Sequence, residues 1–101
     1  MMMAHDSSPT PPSGLAEGTI KAVRDALVRY LHEPANTTDL REALHRMSDE
    51  ARAKSILPEH VLITLKHVWS ALPEVRSVGD AEQQTRMLQR VVTMCIREYY
   101  G

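Results

Sequence analysis

Phenylalanine is missing altogether, and the large aromatics amount to Trp69, Tyr30, Tyr99 and Tyr100. A core so poor in aromatic rings has to be built from aliphatic and sulfur side chains, which suits packed helices better than strands. Cysteine is nearly absent as well. Cys95 stands alone in the 101 residues, which excludes an intramolecular disulfide and leaves no Cys pair for a zinc site. Charge of one sign is also lacking: 12 Lys and Arg face 13 Asp and Glu, for a net charge of −1, and no block of like charge occurs. Nucleic-acid binders draw most of their affinity from a clustered positive excess, so the composition argues against that class.

No apolar run reaches the length of a membrane span. The opening stretch, MMMAHDSSPTPPSG, has neither a basic start nor an apolar segment of signal-peptide length. With so few thiols, the reading is a cytoplasmic protein that does not engage membranes. Residues 1–13 are rich in Ser and Pro and offer little to bury, so a disordered leader is expected there, followed by a single domain over 14–101.

Within that domain the apolar residues recur every three or four positions, the period of a helix. Ala16, Ile20, Val23, Leu27, Tyr30 and Leu31 mark a first helix that Pro34 ends, because proline disfavours helical geometry in the residue before it. Asn36 to Asp39 open a second, with Asp39 and Glu42 spaced as a capping box. Its stripe of Leu40, Leu44, Met47 and Ala51 is narrow and predicts the least buried helix of the set. A third begins at Pro58, favoured in a first turn, and shows a wide face of Val61, Leu62, Leu65, Val68, Trp69 and Leu72 before Pro73 closes it. Asp80 and Gln83 give the fourth a capping-box start, and Leu88, Val91, Val92, Cys95 and Tyr99 form its expected core line. The fold class is therefore all-α, a compact antiparallel four-helix domain with a disordered N-terminal tail.

Chemistry-bearing patterns are scarce. His60 and His67 share a side of the third helix, but they are seven residues apart, whereas the zincin pattern needs histidines four apart with an adjacent glutamate. No metal is expected. There is no Gly-rich phosphate loop, no nucleophile elbow and no carboxylate pair in an apolar setting. Cys95, in mid-stripe, reads as a buried thiol instead of a nucleophile. The chain is accordingly expected to be no enzyme, to use no cofactor and to have no small-molecule substrate.

The remaining candidates are contact residues. Ile63 points away from the expected core, flanked by His60, His67 and Ser70. On the last helix Arg86, Arg90 and Arg97 fall within about 40° of one another opposite the core, and Met87 and Met94 edge the stripe as adaptable contact material or as core filler. On the second helix Arg41, His45 and Arg52 line one edge, with Asp49 and Glu50 near enough for local ion pairing. The function these features suggest is a small helical protein-interaction or regulatory module, binding another protein or itself as a homo-oligomer. The alternative is a helix-turn-helix-like nucleic-acid binder, since a short turn joins the second and third helices. Against it, Pro58-Glu59-His60 sets an acid where a phosphate or base edge would lie.

Overall fold

The computed structural model describes residues 14–101; the expected leader at 1–13 lies outside the described residues. Four α-helices and one short 3-10 turn follow in order, with no strand among the described residues. They are α1 (Glu17–His32), α2 (Thr38–Ala53), α3 (Pro58–Ser70) and α4 (Ala81–Tyr100), with the 3-10 turn at Pro73–Ser77 between α3 and α4. Proline acts as read from the sequence. α1 stops two residues before Pro34, Pro58 occupies the first turn of α3, and Pro73 follows its end. The 3-10 turn went unpredicted; it carries one buried residue, Val75.

Capping divides the two expected boxes. Asp80 accepts a hydrogen bond from the Gln83 N–H at 2.9 Å, satisfying one of the free donors at the start of α4. At α2 the helix begins two residues earlier than the Asp39 box requires. Asn36 Oδ1 accepts from the Thr38 N–H at 3.1 Å, and Asp39 instead meets Arg29 of α1 at 3.0 Å.

The largest departure from expectation is α2, which is central to the packing. It lies closely against both α1 and α4, whereas α3 is packed more sparsely against the other helices. Besides Leu40, Leu44, Met47 and Ala51, it buries Ala43 and Ser48. Small side chains carry little weight in a count of apolar residues. They are nonetheless what lets neighbouring helices approach α2 on both sides, so a stripe that looks narrow is broad in space.

The buried side chains form one cluster, including Leu27, Tyr30, Leu44, Met47, Leu65, Trp69 and Val91. On α4 the deepest line is Met87, Val91 and Cys95, while Leu88, Val92 and Tyr99, expected at the centre, are half-buried against the cluster. α4 leans chiefly on α2 and less closely on α3, and Leu88, Val92 and Tyr99 stay only partly covered.

The α2–α3 joint is a Schellman turn. The Ile56 N–H donates to the Ala51 carbonyl at 2.8 Å and the Ser55 N–H to the Arg52 carbonyl at 3.2 Å. Ser55 sits at φ 59°, the left-handed region, and Ile56 is buried, supplying the apolar contact that accompanies this motif. The Tyr99 hydroxyl donates to the Ile56 carbonyl at 2.8 Å, tying the end of α4 to the same turn.

Candidate functional site

Polar side chains on α2 serve mainly to fasten its neighbours. Glu50 receives the Ala16 N–H at 2.7 Å, the Thr19 hydroxyl and the Lys54 ammonium, and Lys54 also reaches the Gly14 carbonyl at 3.2 Å. Burial alone would raise the Glu50 pKa; the Lys54, Thr19 and Ala16 donors outweigh it and hold the carboxyl below its ordinary value. On the other flank His45 lies 3.2 Å from both Asp49 and Glu98, and Arg52 meets Asp49 at 2.6 Å and the Tyr99 carbonyl at 2.9 Å. Arg41 and Arg52 are thus engaged in ion pairing, with Glu98 and Asp49, and His45 lies between the same two carboxylates. The reach to Glu98 of α4 was not visible from local spacing.

Cys95 is 1% exposed, and burial, with the Glu98 carboxylate adding to it, pushes its thiol up to about 12. A thiol so placed carries almost no thiolate near neutrality. No group of three or more metal-ligating side chains occurs among the described residues. Nor is any described helix long and apolar enough to cross a membrane.

The expected contact residues fall into two separate places and one correction. Ile63, 56% exposed, stands on the outer side of α3 with His60, His67 and Ser70 also exposed. His67 additionally borders a groove of about 730 Å³ between α1 and α3, whose wall includes Ile20, Val28, Thr64, Val68 and Leu72. On α4, Arg86, Arg90, Met94 and Arg97 do come together, lining a shallow depression of about 540 Å³ with Thr37 at the entrance to α2. No residue of α3 lines it. Arg86 is held by Glu82 at 2.8 Å, one turn back on the same helix.

Met87 is the correction. At 8% exposed it belongs to the core, in line with Val91 and Cys95, and offers no contact surface. Its position on the edge of the predicted stripe was right, but the stripe itself is rotated toward it. Sequence reasoning also passed over Leu57 and Ile96, which are 55% and 40% exposed. Leu57 precedes Pro58 and so falls before the helical period begins. Ile96 lies next to Cys95 and off the stripe, a signal of the same kind as Ile63.

No family model, no curated protein and no solved structure matches the chain.

Proposed function

We propose that this chain is a small, non-enzymatic helical module that works by binding another protein or a second copy of itself, through the outer face of α3. Ile63 carries the reading. It is a β-branched apolar side chain more than half exposed on a regular helix, with half-buried Leu62 beside it. Covering it would add to the marginal stability of a domain this small. The arginine-lined depression on α4 supplies a second, more polar surface suited to acidic groups of the same partner. The setting proposed is the cytoplasm, whose reducing conditions suit a chain with one free, buried thiol.

The test is a photocrosslinking residue placed at position 63 of the full chain in living cells, with position 46, on the exposed side of α2, as control. A discrete adduct at 63 that is absent at 46 is expected. No adduct at 63, or the same adducts at both positions, overturns the proposal.

A further inference from the structure

The outer face of α3 has an order as well as an exposure. At about 100° per residue, Glu59, Leu62, Ile63 and Lys66 fall within one arc of about 100°, turned away from Val61, Val68 and Leu72. Glu59, Ile63 and Lys66 are exposed and Leu62 is half-buried. Along the axis the four read acid, apolar, apolar, base. No ion pair joins Glu59 or Lys66 to another described residue.

That order complements itself under a two-fold axis. When the helix is laid antiparallel on a copy with Leu62 opposite Ile63, Glu59 of each copy comes opposite Lys66 of the other. A parallel pairing would set Glu59 against Glu59 and Lys66 against Lys66, and like charges in register oppose association. Ser70, next along the face, is small enough not to prop the helices apart.

We propose that the partner of this face is a second copy of the chain, with α3 packed antiparallel on α3 about a two-fold axis between Leu62 and Ile63. The Ile63 side chains fill the centre and two Glu59–Lys66 pairs flank it, an isologous contact in which one patch serves both subunits. The proposal rests on the interaction reading above and names its partner. One helix pair falls short of the roughly 1,200–2,000 Å² of a standard interface, so the dimer is weak and exchanges with monomer.

Analytical ultracentrifugation of the full chain from about 10 µM to about 1 mM covers the affinity range of such a contact. Reversible dimerisation is expected for the wild type. Ile63→Glu should weaken it at least about tenfold, the effect of losing 1.4 kcal/mol, while circular dichroism keeps its helical content. Glu59→Lys and Lys66→Glu should each weaken it, the double variant should return it to near wild type, and the two single variants should associate more tightly when mixed than either does alone. A wild-type chain that stays monomeric throughout, a dimer indifferent to Ile63→Glu, or a double variant no better than the singles overturns the pairing. A monomeric chain that still gives an adduct to a different protein at position 63 refutes self-pairing alone, whereas no adduct there removes the interaction reading too.

Discussion

Replacing Ser55 by glycine should make the protein more stable, although it removes atoms and adds no contact. Ser55 holds φ 59° at the position after the α2 C-cap, where its Cβ is crowded by backbone. A non-glycine residue in this region costs on the order of 1–2 kcal/mol, and glycine relieves that cost. Against the gain stands the greater freedom of glycine in the unfolded chain, worth about 0.4–1 kcal/mol. The difference leaves a net stabilisation of about 0.5–1 kcal/mol. For a domain of this size that corresponds to a rise of roughly 3–6 °C in Tm. Thermal unfolding followed by circular dichroism, with urea titration as a second measure, reads it directly. Ser55→Ala is the control: it keeps the Cβ, so it should show no comparable gain. An unchanged or lower Tm for Ser55→Gly would show that the turn does not strain Ser55 and refute the reasoning.

Three further expectations concern the interior and the α1 fastening. Ser48→Ala should stabilise by about 1 kcal/mol in urea unfolding, because Ser48 is fully buried and its Oγ has no hydrogen-bond partner among the described residues; a loss of stability would mean the hydroxyl is bonded. Glu50→Gln should cost on the order of 1–2 kcal/mol near neutral pH through its weakened charged hydrogen bonds. Because the folded Glu50 pKa lies below its ordinary 4.5, that stabilisation is fully present above 4.5 and is lost as pH falls through the folded value. The gap between wild type and Glu50→Gln should therefore close on acidification, and a gap that persists would point to packing instead of charge. Cys95 should resist a thiol reagent in the native protein and react fully in denaturant, with a native rate that tracks unfolding; fast native reaction would contradict its burial.

Helix limits were written into the chain because proline and the Asp80 cap act locally, through geometry that a few adjacent residues determine. What escaped reading was set by helices meeting in space. Ala43 and Ser48 look neutral in a hydropathy pattern, and only the arrival of α1 and α4 shows that they lie at the centre. Met87 exchanged roles with Leu88 for a similar reason: one residue step on α4 is about 100°, and the direction of α2 decides which side is covered. The Ile63 side of α3 was legible because it needed only the phase of one helix. The gathering of Arg86, Arg90 and Arg97 around Thr37 was only half legible, since Thr37 is remote in sequence and reaches them through the fold.

The central place of α2 also bears on how the molecule comes apart. Local opening follows the density of packed neighbours, and here that density is uneven: α2 is braced by α1 on one side and α4 on the other, while a groove separates much of α3 from α1. Amide hydrogen exchange should accordingly rank the helices, with α2 protected longest and α3 releasing its protons at a lower free energy than global unfolding. The helix that presents Ile63 is then also the one whose backbone is loosest, and pairing two copies of α3 would be visible as slower exchange in that helix before it is visible anywhere else.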